Sequence, residues 1–237
     1  MGKLLAGLLA AGKLGKVLTT GGTMLLAVLT YALFYGWPYA VGLVLLLFVH
    51  ELGHYAAARQ RGLEVGAPTF IPFVGAWIAL RDLPHDVETE AYIGLAGPVA
   101  GTAGALACYW LARQSDSGLL LALAYAGCML NLFNLIPLSP LDGGRITAII
   151  SPRLWLAGVP LLAALFLWRP SPMLILVAVL AWPQLKAAWS GVSDHPPGYY
   201  AVKQETRLNY AVLYLGLVAF LAMMSYALHE SLAGRAQ

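Results

Sequence analysis

Nine residues without a polar side chain, 41–49, run directly into His50-Glu51-Leu52-Gly53-His54. Ionisable groups at the depth of such a run cost about 2.5–3.5 kcal/mol each on insertion scales, so they call for a compensating partner or role. The rest of the chain offers no ordinary soluble core in which to hide them. Of 237 residues, 60% are hydrophobic and 11% charged, with a mean hydropathy of +0.73. That balance excludes a water-soluble domain and implies an integral membrane protein. A net charge of +3, scattered along the chain, argues against a nucleic-acid partner. Cys108 and Cys128 lie in apolar stretches without CxxC spacing and indicate neither a disulfide framework nor a thiolate metal site.

Seven apolar stretches follow one another: 23–35, 39–58, 91–112, 119–136, 154–168, 172–189 and 208–228. Backbone polar groups in lipid must be satisfied within the segment, so these read as helices. The pair between 154 and 189 is short for a hydrocarbon core about 30 Å thick and contains Pro160 and Pro183. The expected fold is therefore an all-α polytopic membrane protein with about 6–7 transmembrane helices. The stretch 66–80 stands apart, because Gly66, Pro68, Pro72 and Gly75 would break a lone helix while its Phe, Ile, Val and Trp suit strands. A short re-entrant segment resembling a β-hairpin fits it. Residues 4–17, Gly-rich and flanked or interrupted by Lys3, Lys13 and Lys16, read as a basic interfacial helix leading into the first span. A cleaved leader would need a small-x-small site after the apolar run, and none is clear.

Charge then orients the chain. If the seven segments cross alternately, the side holding the N-terminus receives eleven Lys and Arg residues and the other side three, Arg113, Arg169 and Arg235. This bias makes the first side cytoplasmic. Arg59 follows His54 by five residues and His50 by nine. At 1.5 Å per residue, the pentapeptide lies roughly 8–14 Å below the cytoplasmic boundary.

Positions four apart share one face of a helix, so His50 and His54 can offer ring nitrogens to one Zn²⁺ while Glu51 reaches the water such an ion activates. A catalytic zinc site needs a third protein ligand. His85, among Asp82, Asp86, Glu88 and Glu90, reads as a solvated loop residue, and His195 and His229 read similarly. Asp142 is the better candidate, since it follows Pro137 and Pro140 and precedes Gly143-Gly144, where irregular backbone at membrane depth must be buried in protein or line a cavity. An ordinary capping turn, with Asp142 paired to Arg145, is the alternative. The glycines at 94, 97, 101 and 104 form a small-residue face suited to close helix packing. The connector 193–207, with Tyr199, Tyr200, Lys203 and Arg207, suits either a solvated interfacial loop or a gate over a cleft.

The pentapeptide, followed by Asn134-x-x-Pro137-x-x-Pro140-x-Asp142-Gly143, resembles the two signature motifs of the site-2 protease family of intramembrane zinc metalloproteases, peptidase family M50. Carried over position by position, the resemblance implies His50, His54 and Asp142 as ligands of one zinc ion per chain, Glu51 as the catalytic glutamate, and Asn134 as a group contacting substrate or the developing oxyanion. Family members often carry Gly-Pro-x-x-Asn in the next span. Here Gly97-Pro98-Val99-Ala100-Gly101 has glycine at the asparagine position, so that side chain's role does not transfer.

The resulting expectation is a single membrane-embedded metalloprotease domain over 1–237: a basic interfacial segment at 1–22, a catalytic core at 23–145 and accessory helices at 146–237, with no PDZ or CBS domain. Its function would be hydrolysis of peptide bonds in or near the transmembrane segment of a membrane protein substrate, at the plasma (inner) membrane, with the active site toward the cytoplasm. Ile71 and Val74, in the hairpin, are candidate substrate-binding positions through strand addition. Two alternatives stay open: a membrane-anchored zinc peptidase acting on soluble peptides, and a non-proteolytic zinc transporter or scaffold. Glu51 disfavours the last, because holding zinc requires no base.

Overall fold

The computed structural model describes residues 2–73, 75–80, 83–191 and 195–235, with backbone alone at 2–14, 16–17 and 77–80. Each of the seven apolar stretches forms a helix. In chain order these are α1 (Gly2–Tyr35), α2 (Trp37–Gln60), α3 (Val87–Ser115), α4 (Gly118–Asn134), α6 (Trp155–Trp168), α7 (Pro172–Ser190) and α8 (Gln204–Ala233), with a short α5 (Asp142–Ile150) between α4 and α6. Five of them, α1, α2, α3, α7 and α8, are long and apolar enough to cross a membrane; α4 and the segment Pro152–Trp168 are shorter apolar helices. The protein is thus an integral membrane protein, with large side chains such as Leu33, Leu167 and Trp189 turned outward as lipid requires.

α1 is continuous, so the basic segment expected at the interface and the first span form one helix. Helix α3 begins at Val87, ahead of the apolar onset at Ala91, because the Asp86 carboxylate accepts the Thr89 N–H at 2.7 Å and Glu88 and Glu90 complement the helix dipole. It lies against α2, α4 and α5.

Residues 66–80 form the expected hairpin, in which β1 (Val65–Ile71) pairs antiparallel with β2 (Gly75–Leu80) and the register is irregular between Val65 and Pro68. Proline is tolerated at such an irregularity in a two-stranded ribbon. The ribbon hangs on α1: the Thr20 hydroxyl donates to Pro68 O at 2.9 Å, and Phe73 N donates to the Tyr31 hydroxyl at 3.0 Å. Phe73, at φ 63°, stands edge-on to Tyr31 and Phe34 with centroids 5.4 and 5.5 Å away. Val74 lies outside the described residues.

After α4 the chain folds tightly. Leu138 N donates to Ile136 O at 2.7 Å, Leu141 N to Leu138 O at 2.9 Å, and Gly144 N to Leu141 O at 3.0 Å. The sequence suggests only a turn at Asp142-Gly143-Gly144, whereas the structure starts α5 there. Both glycines are demanded by proximity: a Cβ at 143 would overlap Leu135 O and Ile136 O, and one at 144 would overlap Ser139 N. The fold is tied from outside as well, by Tyr214, whose hydroxyl donates to Leu135 O at 2.6 Å, and by Trp155, whose indole N–H donates to Gly144 O at 2.8 Å. Gly143→Ala should destabilise the protein by about 1–3 kcal/mol, the usual cost of overpacking, read from thermal unfolding in detergent. A variant as stable as the parent would contradict this packing.

Candidate metal centre

Four consecutive turns of apolar helix bring His50, Glu51 and His54 to the buried side of α2, and the tight fold after α4 brings Asp142 to meet them. His50 Nε2 lies 3.1 Å from Asp142 Oδ2, His54 Nε2 lies 3.2 Å from Asp142 Oδ1, and the two Nε2 atoms lie 3.1 Å apart. Asp142 therefore pairs with the histidines, and the capping turn closed by an Asp142–Arg145 pair is not what forms. This meeting also requires both groups to lie toward one end of the bundle, as the re-entrant reading of 66–80 anticipates.

Hydrogen bonds define the protonation pattern. His54 Nδ1 is 2.7 Å from Ile93 O, and a carbonyl only accepts, so Nδ1 carries the proton. His50 Nδ1 is 2.8 Å from Asn131 Oδ1; the Asn131 amide donates from Nδ2 to Gly127 O at 2.7 Å, which turns its oxygen toward His50. With both rings neutral, the Nε2 atoms present lone pairs, and they face each other and a carboxylate. Four acceptor atoms in mutual contact repel unless a proton or a metal ion lies among them. The three side chains place their ligand atoms within 4.8 Å of one another, and two imidazoles with one carboxylate suit zinc with a position left open.

The same residues line a cavity of about 750 Å³. Glu51, only 5% exposed, reaches it beside the histidines, and half-buried Asn134 reaches it from the end of α4. Ile71 lines it from the hairpin, with Phe73 and Ala76, opposite Leu176 and Leu180 of α7. The lining thus joins the polar residues of the site, with Glu90, Arg145 and Gln184, to apolar side chains from the hairpin and α7.

Sequence reading misses several contributors. Asn131 looks like one more residue of a span, with nothing in its spacing to connect it to His50. The glycine face of α3, expected simply to pack helices, is cut to the site: a Cβ at 97 would overlap the His54 ring and one at 101 the Asn131 amide, while Gly104 keeps the packing role against Leu46 and Val49. In the connector, Tyr199 and Tyr200 are tied down while 195–198 are exposed. Tyr199 is buried, its hydroxyl donates to Glu90 Oε2 at 2.6 Å, and Val87 N donates to its carbonyl. Burial, and behind it the Glu90 carboxylate, hold the Tyr199 phenol well above the usual tyrosine range. Arg207 donates to Ile150 O at 2.8 Å and Tyr200 O at 2.7 Å. Through Glu90, which lines the cavity, Tyr199 ties the connector to the start of α3, while its neighbours 195–198 remain exposed.

Apolar helices around a buried His-His-Asp set define a polytopic membrane protein with a candidate metal centre. Peptidase family M50 matches residues 38–118, a range that includes the pentapeptide and stops before Asp142. A zinc metalloprotease of Methanocaldococcus jannaschii is 36% identical over 122 residues, covering 47% of this chain and 35% of that protein. Rip3 of Mycobacterium tuberculosis, provisionally named a zinc metalloprotease, is 35% identical over 116 residues, covering 45% of this chain and 29% of that protein. The chain spans about a third of the length of these relatives. A solved structure, the site-2 protease from Methanocaldococcus jannaschii, aligns with a TM-score of 0.44 and 21% identity over 82% of this chain and 84% of that one. The M50 match and these curated relatives support the resemblance to the site-2 protease family over the part of the chain that carries the pentapeptide.

Replacing His50, His54 or Asp142 singly by alanine should weaken zinc binding by more than the roughly 10–100-fold that loss of an outer partner costs. Metal content measured by mass spectrometry after gel filtration tests this. Stoichiometric zinc in all three variants would refute the assignment of ligands.

Proposed function

We propose that this chain is a zinc endopeptidase that cuts membrane protein substrates within or near a transmembrane segment. The observation carrying the proposal is the set of opposed acceptors at His50, His54 and Asp142, with Glu51 on the wall of the same cavity. Zinc held there supplies Lewis acidity, acidifying water and polarising a carbonyl. The Glu51 carboxylate takes the proton of the attacking water and returns it to the leaving amine. The Asn134 amide donates to the oxyanion as the carbonyl carbon becomes tetrahedral.

The apolar part of the lining suits a membrane-embedded chain. A transmembrane helix has its carbonyls internally bonded and must unwind locally before attack. The β1–β2 ribbon, with Ile71 on the cavity, offers an edge on which an unwound segment could pair as an added strand. The excess of Lys and Arg on one side supports a site toward the cytoplasm, in what we take to be the plasma membrane. A transporter or scaffold would have no use for the Glu51 carboxylate beside the ligands.

Glu51→Gln should lower cleavage of a single-span substrate by about 10²–10⁴-fold while zinc stays bound. Activity surviving that change would refute the protease reading. Ile71→Pro, which cannot donate a strand hydrogen bond, should reduce turnover with zinc content unchanged. Undiminished turnover would reject the role of the ribbon and leave the chemistry standing.

A further inference from the structure

Both imidazoles must present Nε2 to one point, and the two are oriented by different means. The partner of His54 Nδ1 is a main-chain carbonyl, Ile93 O, which no substitution at 93 removes. The partner of His50 Nδ1 is a side chain, Asn131 Oδ1. Asn131 sits on α4, 1% exposed, and could equally have turned its Nδ2 toward His50, which would force the proton onto Nε2 and spoil the ligand. That orientation is denied by Gly127, one turn earlier, whose carbonyl takes the Nδ2 proton at 2.7 Å. The amide needs room to lie between the helices. Gly101 on α3 provides it, since a Cβ there would overlap both Oδ1 and Nδ2. Three residues from two helices thus build one slot with one function evident in its geometry: holding an acceptor oxygen against His50 Nδ1.

Resting on the zinc reading above, we propose that Asn131, seated in the slot made by Gly101 and Gly127, is a positioning residue that sets the His50 tautomer and ring angle and thereby the affinity of the metal site. Asn131 does not touch the metal or the substrate. It acts through His50, as the hydrogen-bonded partners of metal-ligating histidines generally do. The proposal separates Asn131 from Asn134 one turn on, which lines the cavity.

The test uses the full chain purified in detergent, with zinc affinity measured by competition against a chromophoric chelator and geometry read from the visible spectrum of the cobalt(II)-loaded protein. Asn131→Ala should bind zinc roughly 10–100-fold more weakly. Gly101→Ala, which displaces the amide without altering it, should weaken binding in the same direction, and the double variant should be no worse than the weaker single one. Asn131→Asp keeps an acceptor for the Nδ1 proton and should recover most of the affinity and a cobalt spectrum like that of the parent. Parental affinity in Asn131→Ala, or Asn131→Asp as weak as Asn131→Ala, would overturn the proposal. So would lower thermal stability of the zinc-free protein with zinc affinity unchanged, which would make the residue part of the scaffold alone. A parent that binds no zinc would instead sink the reading on which this rests.

Discussion

Two imidazole nitrogens and a carboxylate, all within 4.8 Å of one another, need a proton or a metal ion among them to offset the repulsion of their lone pairs. Each would sooner face water. The surrounding helices hold them by bonding everything behind them: Ile93 O and Asn131 Oδ1 fix the rings, while Tyr214, Trp155 and the two glycines after Asp142 fix the turn. That packing holds three ligand atoms close enough to share one metal ion.

Membrane depth sharpens both terms. Irregular backbone is tolerated there only when its polar groups find partners, and the segment between α4 and α5 finds them in short local hydrogen bonds and in side chains reaching from α8 and from Trp155. The ligand-bearing side chains converge at one place, and much of the remaining cavity lining is apolar. Under the proposed function, that is where a substrate segment would lose its helix and meet Glu51.

What could be read from residues alone depended on how far the signal reached along the chain. Apolar runs mark the helices because lipid leaves no other choice, and Gly66, Pro68, Pro72 and Gly75 mark the hairpin because they deny a helix. The His50-to-His54 spacing is local, and Asp142 follows from the oddity of an acid in a Pro-broken turn. Features set by neighbours in space were out of reach. Helix α5 begins at Asp142, and its next two positions must be glycine because other backbone lies against them, which no propensity reveals. Asn131 looks like any residue of a span until His50 is seen against it, and Tyr199 looks solvated until Glu90 and Val87 take hold of it. The start of α3 at Val87 was readable from the Asp86 cap and is hidden only if apolarity is the sole guide.

The central claim is that His50, His54 and Asp142 hold one zinc ion through two Nε2 atoms and an oxygen. X-ray absorption at the zinc edge, on protein purified in detergent, tests it most directly. The account predicts one zinc per chain with two nitrogen scatterers at about 2.0–2.1 Å, the remainder oxygen at about 2.0–2.2 Å, and no sulfur. A sulfur shell at about 2.3 Å, or no zinc at all, would contradict it.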